Sequence, residues 1–280
     1  MKKLAAIFFL LLSLSVQAQI PKKPKLVVGI VVDQMRWDYL YRFSDRYGAG
    51  GFKRLLTQGF SCENTIIPYT PTHTGAGHAC IYTGSVPALN GIIGNSWYDR
   101  ERQRTVYCTE DSAVIGVGNE SAEGKMSPRN LWASTITDEL RIATNFQNKT
   151  ISFALKDRGS ILPAGHTANA AYWFENASGG WITSTHYVKT LPTWMQQLNA
   201  RKLPDSLMAL GWNTLYPTAT YTKSTDDNKS YENNFPGQDN TFPHRTDTIG
   251  RTRYDAFRTT PFANTYTVEA AKAAIIGEQL

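Results

Sequence analysis

Lys25-Leu26-Val27-Val28-Gly29-Ile30-Val31-Val32-Asp33 is a β-branched and aliphatic run that stops on a carboxylate. It is continuous rather than alternating, the pattern of a parallel strand covered on both faces. In open α/β sheets ligands gather beyond the carboxyl ends of such strands, so Asp33 stands where chemistry is expected. A second run, Thr150–Leu155 (TISFAL), ends in the same manner on Lys156-Asp157-Arg158. Between them the sequence predicts helical stretches over 37–47 and 51–58 and a strand over 60–67 closed by Pro68 and Pro71. A small-residue segment, Thr72–His78, then leads into a short helix starting near Thr74. Ser127-Pro128 opens a longer helix reaching about Ala143, with proline at a tolerated first-turn position. This alternation predicts an α/β fold, a mostly parallel sheet flanked by helices.

The flanks carry other signals. Residues 1–18 have a basic start, an apolar run and the small-residue pattern Val16-Gln17-Ala18, which reads as a cleavable signal peptide and predicts a periplasmic or secreted protein. The run is shorter than the roughly 20 apolar residues that span a bilayer, and no membrane anchor is expected. From 170 to 260 aromatics, Asn, Thr, Pro and Gly dominate, with short strands near Tyr172 and Trp181; this predicts an inserted cap region after a core over 19–169. Residues 261–280 read as a returning core helix. With 41% hydrophobic and 19% charged residues among 280, disordered, collagen-like and coiled-coil classes are excluded. The formal charge of +6, with no Lys/Arg block longer than two, argues against nucleic acid as a partner. Cys62, Cys80 and Cys108 match no zinc spacing, and a bridge of Cys62 or Cys80 to Cys108 stays open.

Three strand or helix ends thus supply Asp33, Thr74 and the pair Lys156 and Arg158. Taken singly, Asp33 is a hard metal ligand or a helix cap, Thr74 an anion site or an N-cap, and the two cations a clamp or solvated charges. Residues two apart at a strand end point to one side, so Lys156 and Arg158 could share one anion. Together the groups suggest phosphoryl or sulfuryl transfer. No P-loop, cysteine-phosphatase loop, Rossmann fingerprint, serine elbow or sulfatase motif is present.

The segments VVGIVVDQMRWDYL (27–40), IPYTPTHTGAGHACIYTGSVPALNGIIGNSWYD (67–99) and LKDRGSILPAGH (155–166) resemble the threonine-nucleophile alkaline phosphatases of the type I phosphodiesterase/nucleotide pyrophosphatase family, alkaline phosphatase superfamily. The resemblance implies that Asp33 binds one of two zinc ions and that Thr74 is the nucleophile, bound to the same zinc and phosphorylated in an intermediate. It implies that Asn95, Lys156 and Arg158 contact phosphoryl oxygens, and it leaves His78 structural. It also implies small phosphate monoesters as substrates of a monomer, because two cations favour a dianion over a diester monoanion. A phosphodiesterase or nucleotide pyrophosphatase and a non-catalytic phosphate-binding fragment are the competing readings.

The sequence departs from that family in its metal ligands. The five histidines, His73, His78, His166, His186 and His244, offer neither the Asp-x-x-x-His motif nor the Asp-His pair that the family uses. The expectation is a chain truncated after about the family's first half, which binds zinc poorly and turns over little substrate.

Overall fold

The structure is a computed structural model that describes residues 24–249 and 253–280. The signal peptide expected over 1–18 lies outside the described residues. Val31–Gln279 forms one compact unit, and residues 24–30 and Leu280 fall in a second.

In chain order the helices and strands are α1 (Tyr39–Arg42), α2 (Gly51–Gln58), α3 (Thr74–Thr83), α4 (Pro87–Asn90), β1 (Ser96–Asp99), β2 (Arg104–Tyr107), β3 (Gly116–Val117) and α5 (Ile136–Ala143). They continue with β4 (Ile151–Ala154), α6 (Asp157–Ala164), β5 (Ala170–Phe174), β6 (Trp181–Ser184), α7 (Thr193–Ala200), α8 (Leu203–Met208), α9 (Arg253–Phe257) and α10 (Pro261–Gly277). The main sheet has the order β3-β6-β5-β4, and β1 pairs with β2 as a separate hairpin. β4 and β5 are parallel, joined through α6, whereas β5–β6 and β6–β3 are antiparallel. This is the expected α/β architecture, but the sheet is mixed rather than mostly parallel, one pairing of three being parallel.

The period of two along a strand decides what each face buries. Tyr172 and Phe174 of β5, with Trp181 of β6, enter one apolar layer with Met195, Leu198, Phe257, Tyr266 and Ala270 from the helices on that side. Ala171, Trp173 and Ile182 point the other way and pack against Ile161 and Ala164 of α6. Every residue of β5 is buried, which explains its unbroken AAYWF sequence. α6 also packs on α3, over a third cluster of Ala79, Ile92, Cys108, Leu131 and Leu162. β5 and β6, the first elements of the region expected to be a cap, are therefore hydrogen-bonded members of the core sheet.

Several local expectations change. KLVVGIVV forms no strand, and Val27 and Ile30 are exposed. Composition states what a run prefers to bury; a strand exists only within a ladder, and the ladder of the described residues is β3-β6-β5-β4. The strand expected over 60–67 is likewise irregular, with Phe60 and Ile66 exposed. The helix expected from Ser127 begins at Ile136, because Thr135 and Asp138 form a reciprocal capping box. The Ser127 hydroxyl is instead committed to Asp111 at 2.7 Å. All three cysteines are free thiols, with Cys80 and Cys108 buried.

Arg46 ties the α1 segment to the polar region after residue 210. Its guanidinium lies against the rings of both Tyr216 and Tyr221, at 5.0 and 5.2 Å, and donates to the Thr220 carbonyl. Lys223 Nζ reaches Asp45 at 2.8 Å beside it. Exposed cation–π contacts contribute about 0.5–1 kcal/mol each. Arg46→Ala is therefore expected to leave global unfolding nearly unchanged while speeding tryptic cleavage at Lys223; equal cleavage rates in both proteins would contradict this clamp.

Candidate active site

α3 begins where a run rich in glycine, alanine and threonine follows the extended residue His73, and its first residue is Thr74. An N-cap threonine would accept a backbone N–H, but the N-cap position is His73 and Thr74 is the first residue of the helix. Instead its Oγ1 donates outward to Asp33 Oδ2 at 3.0 Å. The cap reading is thereby displaced: this hydroxyl stands at the positive end of a ten-residue helix, in contact with a carboxylate.

Lys156 Nζ lies 3.6 Å from the same Asp33 oxygen, so Asp33 joins Thr74 and Lys156. Lys156 is extended and caps α6, whereas Asp157 and Arg158 already belong to the helix. The strand alternation expected to aim Lys156 and Arg158 to one side therefore ends before them. Arg158 goes elsewhere: its Nη1 donates to Tyr107 Oη at 2.6 Å.

Asn95 Oδ1 accepts the Gly75 N–H at 2.8 Å, which fixes the side-chain amide and leaves its N–H groups on the other side. A side chain at Gly75 would crowd its neighbours: a Cβ would sit 3.1 Å from the Gly94 carbonyl oxygen and 3.2 Å from Cys108 Sγ. Burial pushes the Cys108 thiol up to about 12, with the Asp157 charge adding to it, so Cys108 is a neutral packing group. His78 is buried one helical turn after Thr74, its Nδ1 2.8 Å from the Thr74 carbonyl oxygen, in keeping with a structural role.

The site brings together Asp33, Thr74 and Lys156 directly and Asn95 through Gly75; Arg158 is held at one remove by Tyr107. Tyr107, Asp157 and Thr109 are the neighbours that sequence reasoning passed over. Asp157, between the two cations, was the available signal.

The chain belongs to the type I phosphodiesterase/nucleotide pyrophosphatase family, whose model matches residues 27–266. Among its relatives, alkaline phosphatase PhoV of Synechococcus elongatus is 57% identical over 267 residues, 95% of this chain and 48% of that protein. Alkaline phosphatase PafA of Elizabethkingia meningoseptica is 51% identical, over 92% of this chain and 48% of its own length. The crystal structure of wild-type PafA superposes with a TM-score of 0.88 over 92% of this chain and 50% of that one. A PafA variant substituted at a threonine, an asparagine, a lysine and an arginine superposes at 0.90 with 49% identity. The chain spans about half the length of the curated relatives it matches.

Zinc, which the family implies, finds two oxygen donors here, Asp33 Oδ2 and Thr74 Oγ1. Catalytic zinc takes three protein ligands, and the described residues hold no group of three or more His, Cys, Asp or Glu able to grip a metal. Two oxygen donors on the described residues do not by themselves make up a catalytic zinc site.

Proposed function

We propose that this chain carries the nucleophile and phosphate-binding elements of an exported alkaline phosphatase acting on small phosphate monoesters. The observation that carries this reading is the Thr74 hydroxyl at the start of α3, bonded to Asp33 with Lys156 on the same carboxylate. The side chains substituted in the PafA variant are of the same types and order as Thr74, Asn95, Lys156 and Arg158. The separation matches for the first pair and for the last.

Thr74 Oγ1 would attack phosphorus, forming the phosphothreonine bond while the bond to the leaving oxygen breaks; the hydroxyl proton would pass to Asp33 Oδ2 and the leaving alkoxide would take a proton from solvent. Asp33 Oδ2 holds the hydroxyl proton and fixes Oγ1. The Asn95 amide, Lys156 Nζ and the free backbone N–H groups at the start of α3 would gather the phosphoryl oxygens, since phosphoryl transfer needs chiefly positioning and charge stabilisation. Two zinc ions, one on Asp33 and Thr74, would supply the charge that makes a hydroxyl nucleophilic near neutral pH. A monoester dianion gains more than a diester monoanion from Lys156 and Arg158, which favours monoesterase over phosphodiesterase activity.

Calorimetric titration with inorganic phosphate tests the anion site: Lys156→Ala is expected to weaken binding roughly tenfold or more, the scale of one charge-assisted hydrogen bond. Unchanged affinity would remove Lys156 from the site. Turnover tests the metal separately. The 280-residue polypeptide should hydrolyse p-nitrophenyl phosphate little even with zinc added, because its described ligands are two oxygens. Robust chelator-sensitive turnover, lost in Thr74→Ala, would show a complete metal site within this chain.

A further inference from the structure

Arg158 and Asp157 are adjacent in the first turn of α6, yet their charges meet through a third group. Tyr107 Oη accepts from Arg158 Nη1 at 2.6 Å and donates its own proton to Asp157 Oδ1 at 2.9 Å. Asp157 Oδ2 is filled by the Thr109 hydroxyl. Tyr107 is itself fixed: its N–H donates to Glu110 Oε2 at 2.9 Å, and its carbonyl accepts the Asn130 amide at 3.2 Å. The guanidinium carbon lies 5.8 Å from the Tyr107 ring centroid. The phenol is thus a spacer with one acceptor role and one donor role, both occupied.

Arginine presents five N–H donors in a rigid plane. Holding Nη1 on Tyr107 leaves the opposite edge, Nε and Nη2, for another partner. Arg158 Nε is buried and has no hydrogen-bond partner among the described residues. A buried, unpaired donor is costly, and the Nε–Nη2 edge is the fork that matches two oxygens of a phosphoryl group. Were the guanidinium to close on Asp157 instead, its charge would be neutralised and that fork turned away.

We propose that Tyr107 is a positioning residue: by standing between Asp157 and Arg158 it presents the Nε–Nη2 edge of Arg158, as a bidentate fork, to a dianionic phosphoryl group. This rests on the proposed function in that it takes Arg158 as a phosphate-binding group, and it adds the residue that sets the tilt and free charge of that arginine. Tyr107 touches no substrate. Its effect should therefore fall on ligands that use both oxygens of the fork, the dianions, more than on a diester.

The test uses the whole chain and its Tyr107→Phe variant, which keeps the ring. Inorganic phosphate and a dialkyl phosphate are titrated at pH 8, and the Arg158 Nε–Hε resonance is followed by nitrogen-15 NMR. Tyr107→Phe is expected to lose about tenfold in phosphate affinity and less than twofold for the diester. Its Nε–Hε resonance should shift and the hindered rotation about Nε–Cζ should become free. In the Arg158→Ala background Tyr107→Phe should cost nothing further. An Arg158→Ala variant that binds phosphate like the wild type would overturn the assignment of Arg158 to the anion site. If Arg158→Ala weakens phosphate but Tyr107→Phe does not, or weakens both ligands equally, the positioning role falls alone. Should Tyr107→Phe fail to fold, Asp157→Asn must reproduce the NMR change, since it weakens the anchor of the same phenol; an unchanged Arg158 resonance there would refute the proposal. The NMR arm decides on positioning even if phosphate binding proves too weak to titrate.

Discussion

Trp181→Ala is expected to produce the largest loss of stability of any single truncation in the sheet. Trp181 is fully buried at the centre of the aromatic layer, 5.1 Å from Tyr266, 5.5 Å from Phe153 and 6.2 Å from Phe174, ring to ring. The layer is closed by α7 and α10 on one side and the sheet on the other, so surrounding groups have little freedom to collapse into the space left behind. Truncating a buried tryptophan costs about 3–5 kcal/mol, the lost transfer free energy plus the cavity. In a domain of this size that lowers the unfolding midpoint by roughly 6–20 °C. A midpoint within 2 °C of the wild type would mean that the layer is not the principal core.

Asp138→Ala should be nearly as damaging, and its consequence is pH-dependent. Asp138 is 2% exposed and accepts from the backbone N–H groups of Thr135, His166 and Thr167 and from the side chains of His166 and Thr167. Gly165, at φ +74°, leaves room for this arrangement; a Cβ there would collide with the carboxylate and with the Thr135 hydroxyl. Removing a buried carboxylate leaves its donors unpaired, at about 1–3 kcal/mol for each donor that stays buried, while the solvent-exposed His166 adds little.

Burial pushes the Asp138 carboxyl up, but the bonds from His166, Thr135 and Thr167 outweigh it and hold the group far below the usual carboxylate range. The bond to Asp138 raises His166 above its ordinary value against the opposing effect of burial, and the Leu131 carbonyl, 2.9 Å from Nε2, adds to the rise. A lowered carboxylate contributes stability that is present above its unfolded pKa and lost as pH falls. A raised histidine contributes below its unfolded pKa and loses its part as pH rises through the folded value. The contribution of the pair is therefore fullest between about pH 4 and 6.5. The difference in stability between wild type and Asp138→Ala, followed by urea unfolding from pH 3 to 9, should peak in that window. A difference that keeps growing above pH 7 would mean that His166 is not the partner. Nearby, His186 is lowered by burial and by the His166 charge, which works against protonating both rings.

The site was legible where chemistry is local. Thr74 could be placed at a helix start because a small-residue run follows a proline-closed segment, and β4 was readable from TISFAL. The contact of Lys156 with Asp33 spans more than a hundred residues, yet both stand where runs of apolar residues stop, so the general rule about strand ends brought them together. Tyr107 obeys no such rule. Nothing in RTVYCT marks a tyrosine that will sit beside a helix start fifty residues later. The true start of α5 was present as Thr135-x-x-Asp138, but Ser127-Pro128 offered a competing signal whose hydroxyl tertiary structure commits to Asp111. KLVVGIVV shows the converse failure, a strong preference with no ladder among the described strands.

β4 ends that ladder, with β5 on one side and no strand on the other among the described residues. An unfilled strand edge is a template for a passing extended chain, and flanking lysines are a common deterrent to such pairing. Here the flanking lysines are occupied: Lys149 by Glu278 at 3.2 Å and Lys156 by Asp33. The contact between Asp33 and Lys156 thus also quiets a charge that would otherwise repel a second copy. Self-association of this polypeptide should be sensitive to whatever ligand draws Lys156 away from Asp33.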